Sequence, residues 1–283
     1  MDELRFTFYG VRGSYPVSAP KTIKYGGNTA SILFESGDDI FIFDAGTGIV
    51  AAGEYIQSKR NIKTINIFLT HMHIDHIMGL PFFNPLYDKD KIIKIHCFKY
   101  NGFEYKDTIF SLFNQPLSPI SRKGIRAKLK FYTFGENVKN PVFINDHTSV
   151  SCIKDELHPK SGVLIYKVDC CDKKLIFATD VESEKGFAGD HADFIKNADI
   201  LIHDSQYTSE DYKNNDSPKS GYGHSTVDMA VNNAVKMNVE KLFLFHYSPE
   251  YPDSQLEKML EHAKKRFANT ELSTERQINK IRR

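Results

Sequence analysis

Short apolar runs recur along the chain, and most of them end at a glycine, serine or acidic residue. Runs rich in β-branched and aromatic side chains that are bounded in this way predict β-strands. They lie at residues 6–9, 31–34, 40–43, 65–69, 92–98, 129–134, 163–168, 175–178, 200–202 and 242–245. Several are apolar at nearly every position, which predicts strands that are covered on both faces of a sheet.

Helical spacing of apolar positions occurs in other stretches. Residues 50–59 and 226–237 each place apolar side chains on one face, and Ser225 or Thr226 is suited to cap the second stretch. A C-terminal helix is predicted by the spacing of Leu256, Met259, Leu260, Ala263 and Phe267. Strands that alternate with helices predict an α/β fold.

We interpret residues 1–283 as a single domain with two atypical segments. Residues 87–148 are rich in Lys, Asn and Phe and are predicted to be an insertion that walls one side of a cleft. Residues 269–283 are predicted to be a polar, mobile tail.

Composition and charge narrow the classes of function. Lys and Arg total 37 and Asp and Glu total 36, so the net charge of +1 disfavours long nucleic acid as the main partner. No apolar run is long enough to cross a membrane. The four cysteines (Cys97, Cys152, Cys170 and Cys171) show no disulfide or metal spacing, and acidic residues stand where a secretory signal needs positive charge. We therefore expect a cytoplasmic location.

Polar residues stand where several predicted strands end, the place where α/β sheets carry their sites. After residues 65–69 come His71, His73, Asp75 and His76 within six positions. Side chains two apart in extended backbone point to the same side, so His71 and His73 can bind one ion while Asp75 and His76 face a second. Histidine makes up 11 of the 283 residues, so such clustering by chance is improbable.

This H-x-H-x-D-H segment resembles the signature of the metallo-β-lactamase superfamily. Four further segments stand in the order of the family's motifs, around Asp44, His158, Asp180 and His246. The resemblance implies an αββα four-layer sandwich with two mixed sheets face to face and two metal ions at one edge. It also implies that Asp44 bonds the backbone of the metal loop and is not itself a ligand.

Carried over position by position, the resemblance implies two divalent metal ions. Zn²⁺ is favoured, and Mn²⁺ or Fe²⁺ also suits nitrogen and oxygen donors. The first ion would be bound by His71, His73 and His158, the second by Asp75, His76 and His246, and Asp180 would bridge both.

Within the superfamily the chain resembles the phosphodiesterase branch that includes ribonuclease Z-like and cyclic-nucleotide-hydrolysing proteins. Five segments carry this resemblance, at residues 9–14, 25–29, 79–83, 203–208 and 223–226, and the last, Gly-His-Ser-Thr, is the most specific. It implies hydrolysis of a small phosphodiester, most readily a cyclic nucleotide, by a hydroxide that bridges the two ions.

The catalytic and substrate-binding roles are also carried over from this branch. Asp75, His224 and Asp204 form the predicted catalytic set, in which His224 gives a proton to the leaving oxygen and Asp204 orients it. Arg12, Asn28 and His224 are predicted to contact the substrate, Arg12 and Asn28 because they stand in Gly-bounded segments; the alternatives are a surface position for Arg12 and a turn for Asn28. Two departures from the branch, Ile74 and the pair at 160–161, affect substrate fit more than metal binding.

Several other functions are alternatives to the hydrolysis of a small phosphodiester. The first is tRNA 3′-end cleavage, but ribonuclease Z proteins usually carry a basic arm that residues 101–135 do not resemble. The second is a non-catalytic nucleotide sensor, which would normally have lost some metal ligands. A β-lactam or thioester hydrolase is disfavoured by Gly-His-Ser-Thr. The resemblance further implies a homodimer.

Overall fold

A computed structural model describes residues 3–59, 61–99, 102, 104–134, 140–156, 158 and 162–282. The chain ends, residues 135–139, and the neighbours of His158 at 157 and 159–161 lie outside the described residues. Statements on architecture below refer to the described ranges.

The strands form two sheets of seven. Each predicted apolar run overlaps one of the observed strands. In chain order the strands are β1 (Glu3–Gly10), β2 (Ser31–Ser36), β3 (Asp39–Phe43), β4 (Thr64–Phe68), β5 (Ile92–Phe98), β6 (Lys128–Phe134), β7 (Val142–Phe143), β8 (Thr148–Asp155), β9 (Val163–Cys170), β10 (Lys173–Ala178), β11 (Ile200–Asp204), β12 (Lys241–Phe245), β13 (Thr270–Leu272) and β14 (Ile278–Arg282).

The two sheets share the same arrangement of parallel and antiparallel strands. The first has the order β14-β1-β2-β3-β4-β5-β6 and the second β13-β12-β11-β10-β9-β8-β7. In the first sheet β3 to β6 run parallel, and in the second β10 to β13 do. The remaining neighbours are antiparallel. Each half therefore brings a set of parallel strands whose carboxyl ends share one edge.

Aromatic side chains fill the space between the sheets. The ring of Phe43 on β3 stacks on Tyr166 of β9 and Phe177 of β10, with centroids 4.9 and 5.5 Å apart. Phe8 of β1 meets Phe243 of β12 at 5.5 Å. All five side chains are buried, and burying one Phe contributes roughly 1.5–3 kcal/mol to stability. This packing holds the two strand-end edges side by side.

Helices cover the outer faces. They are α1 (Ile49–Ser58), α2 (Tyr105–Ser111), α3 (Gly189–Ile195), α4 (Ser209–Tyr212), α5 (Val227–Lys236) and α6 (Asp253–Lys264). Helix α1 packs on β1 and β2, and α5 packs on β11 and β12, so the predicted αββα sandwich is confirmed. The Thr226 hydroxyl caps α5 by accepting from the Met229 amide. No helix in the described ranges is long and apolar enough to cross a membrane.

The structure differs from the expectation of an insertion at 87–148. Strand β5 pairs in parallel with β4, and β6 pairs in parallel with β5, so that Ile95 lies between Ile67 and Phe131. These strands extend the first sheet beyond β4 as regular members of it.

The polar tail also differs from the prediction. Within 269–282, β13 pairs with β12 in the second sheet and β14 pairs with β1 in the first, where Ile281 lies opposite Leu4. Strand β14 is polar because it is an edge strand with only Ile281 buried. The segment is therefore part of both sheets and is not a mobile tail.

Candidate metal centre

The predicted site residues meet at the edge where the parallel strands of both sheets end. From the first sheet come Asp44 after β3 and the loop after β4 with His71, His73, Asp75 and His76. The second sheet supplies Asp180 after β10, Asp204 at the end of β11, His246 after β12 and His158 after β8. The fold thus brings together residues that are up to 202 positions apart in the chain (44 to 246).

Three of these residues turn the chain sharply at a strand end. Asp44, Asp180 and His246 have φ angles of 58°, 55° and 63°, in the left-handed region. A non-glycine residue held there costs roughly 1–3 kcal/mol, and such strain is concentrated at functional sites. After this turn Asp180 and His246 meet side chains of the first sheet, whereas Asp44 bonds the loop that follows the neighbouring strand β4.

One cluster consists of His71, His73, His158 and Asp180. One ligand atom from each lies within 4.8 Å of the others. Nε2 of His158 is 3.0 Å from Nδ1 of His73, and Asp180 Oδ1 lies 3.7 Å from His71 Nε2 and 3.9 Å from His158 Nε2. His73 is the exposed member, so solvent reaches this cluster from its side.

A second cluster consists of Asp75, His76 and His246, again with Asp180. Nε2 of His76 is 3.2 Å from Nε2 of His246, and Asp180 Oδ2 lies 3.2 and 3.3 Å from these two nitrogens. Asp75 Oδ2 is 3.3 Å from His246 Nε2 and also accepts a hydrogen bond from the backbone amide of Ser14 at 2.7 Å. Asp180 thus faces both clusters with different oxygens.

Hydrogen bonds to Thr70 and Asp44 orient the rings of His71 and His76, which follow β4. The carboxylate of Asp44 accepts bonds from the amide and hydroxyl of Thr70. It also pairs with His76 Nδ1 at 2.8 Å. Because the Thr70 hydroxyl donates to Asp44, its oxygen accepts from His71 Nδ1 at 3.0 Å. The Nε2 atoms of both rings therefore face the centre with a lone pair available, as in metal-binding histidines. The expectation that Asp44 bonds the metal-loop backbone is confirmed.

The histidines of the second sheet are oriented in the same way. His158 Nδ1 donates to the carbonyl of Gly223 at 3.2 Å, and His246 Nδ1 donates to Oε1 of Gln206 at 3.0 Å. Thr70, Ser14 and Gln206 were missed as functional residues by the sequence analysis. Gln206 lies in segment 203–208, one of the five that carry the resemblance to the phosphodiesterase branch, and this was the sequence feature that could have identified it.

The charges of the site are suited to cations. Asp44, Asp75, Asp180 and Asp204 are all buried, and within the described ranges their ion pairs are with histidines only. His71 Nε2 is buried without a hydrogen-bond partner among the described residues. Buried carboxylates need a positive partner, so an unpaired nitrogen facing them fits a bound metal ion.

The pKa shifts of His76 and Asp180 also indicate that the carboxylates of the site attract positive charge. Burial alone would lower the pKa of His76, but Asp180, Asp75 and Asp44 outweigh it and raise that pKa well above its usual value. Burial would raise the pKa of Asp180, but His246, His76 and His71 lower it well below its usual value. A cation between these groups would supply the positive charge that the carboxylates attract.

His224 and Asp204 form a pair beside the clusters. His224 Nδ1 lies 2.8 Å from Asp204 Oδ2, whose carboxylate also accepts from the amides of Asp180, Gln206 and Ser225. Burial would lower the pKa of His224, but Asp204 and the neighbouring aspartates raise it to about 9. Without bound metal the ring thus carries a proton at neutral pH, and its Nδ1 lies 3.8 Å from Asp180 Oδ1, the carboxylate that faces both clusters.

Arg12 lies away from the centre, contrary to the prediction that it contacts substrate. Its side chain is fully buried, and its guanidinium donates to the carbonyls of Gly26, Ser248 and Tyr251 at 2.8–3.0 Å. It therefore ties together three segments of the chain and cannot reach a phosphate at the cleft.

Asn28 is likewise engaged elsewhere. Its side-chain amide and its backbone amide both donate to the carboxylate of Glu275, at 2.9 and 2.6 Å. The structure therefore argues against the substrate contact predicted for Arg12, whereas a substrate contact of the half-buried Asn28 stays a prediction.

Replacing Arg12 with methionine is expected to destabilise the fold and to leave the chemistry intact. Three buried carbonyls would lose their donor, which we expect to lower the free energy of unfolding by about 3–5 kcal/mol in urea titrations. The KM of the folded variant for a phosphodiester should stay within about twofold of wild type. A raised KM with unchanged stability would instead assign Arg12 to the substrate. If the variant does not fold, Arg12→Lys provides the same comparison.

Comparison with known proteins places the chain in a family. Residues 40–247 match the Beta-lactamase superfamily domain. Ribonuclease Z from Picrophilus torridus is 28% identical over 96% of this chain and 94% of its own length.

Solved structures share the fold. The metallo-β-lactamase fold protein YhfI from Bacillus subtilis covers 99% of this chain and 100% of its own, with a TM-score of 0.71 at 17% identity. A diphosphatase from the PhnP family covers 99% of this chain and 98% of its own, with a TM-score of 0.69 at 16% identity. The match over residues 40–247 shows that the chain belongs to the metallo-β-lactamase superfamily of hydrolases, and its likeness to ribonuclease Z over nearly its whole length supports the ribonuclease Z-like branch.

Proposed function

We propose that this hydrolase is a metal-dependent phosphodiesterase. The observation that carries the proposal is the arrangement of two ligand clusters about Asp180 with the His224–Asp204 pair beside them. Two adjacent cation sites suit a reaction in which a phosphoryl group accumulates negative charge, and a protonated histidine suits an alkoxide leaving group.

The residues present fit two divalent ions. We assign His71, His73 and His158 to the first ion, Asp75, His76 and His246 to the second, and Asp180 to both. Imidazole nitrogens with carboxylate oxygens favour Zn²⁺, and Mn²⁺ and Fe²⁺ suit the same donors. Such ions, when bound, activate water at neutral pH and hold a phosphoryl oxygen.

The chain's own residues complete the proposed reaction. His224 donates a proton to the departing oxygen, and Asp204 holds the ring through Nδ1 so that Nε2 is directed toward that oxygen. Asp44 and Thr70 fix the rings of His71 and His76, so the site is preorganised by hydrogen bonds from the first sheet.

Two exposed tyrosines are adjacent in sequence to residues that bond the predicted ligands, and they suit a nucleotide substrate. Tyr15 is 51% exposed and follows Ser14, whose amide bonds Asp75. Tyr222 is 59% exposed and precedes Gly223, whose carbonyl orients His158. An aromatic ring beside a phosphate site can stack on a base, which contributes roughly 1–3 kcal/mol per base.

Two substrates compete within this class. The relatives are named ribonuclease Z, and this supports cleavage of RNA more directly than hydrolysis of a cyclic nucleotide. The net charge of +1 supports a small diester. The alignment with the Picrophilus torridus enzyme extends over 315 positions against 283 residues here. The relative therefore has segments with no counterpart in this chain.

A comparison of rates separates the two. Metal-loaded protein is assayed on a tRNA precursor with a 3′ extension, on cyclic mononucleotides and on bis(p-nitrophenyl) phosphate. A kcat/KM for the tRNA precursor at least about a hundredfold above that for the cyclic nucleotides would assign RNA processing, and the reverse ratio would assign the small diester. No hydrolysis of any of the three would contradict the phosphodiesterase proposal itself.

Assembly and location stay predictions. The homodimer and the cytoplasmic setting rest on the resemblance and on composition, and light scattering of the 32.4 kDa chain would test the first of them.

A further inference from the structure

The carboxylate of Glu182 is enclosed by a loop that leads to His224. Oε1 accepts from the amide of Gly221 at 2.7 Å, and Oε2 accepts from the amide of Gly223 at 2.9 Å. The hydroxyl of Tyr212 also donates to Oε1. Glu182 itself lies two residues after Asp180, so it is anchored to the strand end that faces both clusters.

The backbone of Gly223 connects this carboxylate to the centre. Its amide bonds Glu182, its carbonyl accepts from His158 Nδ1 at 3.2 Å, and the next residue is His224. Gly221 and Gly223 have φ angles of +85° and +87°, which glycine adopts without strain but does not prefer strongly. The loop therefore needs an external contact to keep this conformation, and Glu182 supplies two hydrogen bonds to a carboxylate, which are strong ones.

We propose that Glu182 is a positioning residue whose carboxylate holds the backbone of Gly223. Through that backbone it orients the ring of His158 and sets the position of His224. The kinetic part of this inference rests on the proposed phosphodiesterase function, and the structural part does not. The role is distinct from that of Asp204, which holds His224 through its ring, because Glu182 acts on the backbone that carries the histidine.

The first test measures amide hydrogen exchange in metal-free protein. Glu182→Ala removes both acceptors, and Glu182→Gln leaves one acceptor and places an amide donor against the other N–H. We expect exchange in a peptide covering 219–225 to rise about ten- to hundredfold in Glu182→Ala and less in Glu182→Gln, with other peptides unchanged. Glu184→Gln, which alters an exposed carboxylate two residues further on, is the matched control and should leave exchange unchanged.

The second test measures kinetics on two nucleotide diesters that differ in leaving group. For Glu182→Gln we expect kcat to fall about tenfold with an alkoxide leaving group and by less than about threefold with p-nitrophenolate, while KM stays nearly constant. A residue with only a structural role would lower both rates equally. Tyr212→Phe removes one donor to Glu182 but keeps both backbone bonds, so it should retain most of the activity.

The outcomes distinguish this inference from the proposed function. Unchanged exchange in Glu182→Ala would overturn the positioning role whatever the enzyme hydrolyses. Faster exchange in a protein whose wild type cleaves no phosphodiester would support the positioning role and overturn the proposed function. Faster exchange with equal losses on both leaving groups would contradict the link to His224.

Discussion

Asp180→Ala is expected to leave the chain with less than half of its bound metal and to reduce phosphodiester hydrolysis by about 10³-fold or more. Its two oxygens face different clusters, Oδ1 toward His71 and His158 and Oδ2 toward His76 and His246. Removing the carboxylate therefore takes a ligand from both ions at once. Metal content is measured by plasma emission spectrometry after loading with Zn²⁺ or Mn²⁺, and activity is measured on bis(p-nitrophenyl) phosphate.

The control for this experiment is His147→Ala, which removes an exposed histidine that belongs to neither cluster. It should keep the metal content of wild type, close to two ions per chain for a two-metal site. An Asp180→Ala protein that retains both ions and its activity would contradict the shared-ligand arrangement.

His224→Ala is expected to keep its metal and to lose kcat by roughly 10²–10⁴ on substrates with a poor leaving group. The ring is held by Asp204, and the carboxylates around it raise its pKa to about 9, so it is a proton donor at neutral pH. The loss should shrink on bis(p-nitrophenyl) phosphate, because p-nitrophenolate departs without a proton. Steady-state rates on a matched pair of good and poor leaving groups measure the difference.

Asp204→Asn offers a graded comparison. It should give a weaker form of the same pattern, but Asp204 also accepts from the amides of Asp180 and Ser225, so its metal content must be measured alongside. Equal losses on good and poor leaving groups in His224→Ala would exclude the acid role and leave His224 as a phosphate-binding residue.

The apolar pattern identified the central strands and the edge strand β6 but missed β7, β8, β13 and β14. Central strands such as β4 and β12 are buried on both faces and appear as continuous apolar runs. Strand β8 mixes buried and half-buried positions and contains serines and a lysine, and β14 has one buried residue, so neither has a clear apolar run. Strand β14 is defined by its pairing with β1 at the other end of the chain, which no local pattern records.

The metal ligands could be predicted from the sequence because local patterns mark their positions. Four of them stand within six residues, and Asp180 and His246 end apolar strands, so position along the chain reports position at the sheet edge. Arg12 was misassigned because its partners come from distant segments. The carbonyls that bind Arg12 include those of Ser248 and Tyr251, more than 230 residues away, and burial of this kind is a property of the whole fold.

Each cluster draws half of its ligands from each sheet. His71 and His73 face His158 and Asp180, and in the other cluster Asp75 and His76 face Asp180 and His246. An ion bound in either place would cross-link the two halves of the chain, and a chain whose sheets have separated would keep at most two ligands for it. Metal binding would then be thermodynamically coupled to the docking of the halves, so the midpoint of thermal unfolding should rise with the concentration of free metal.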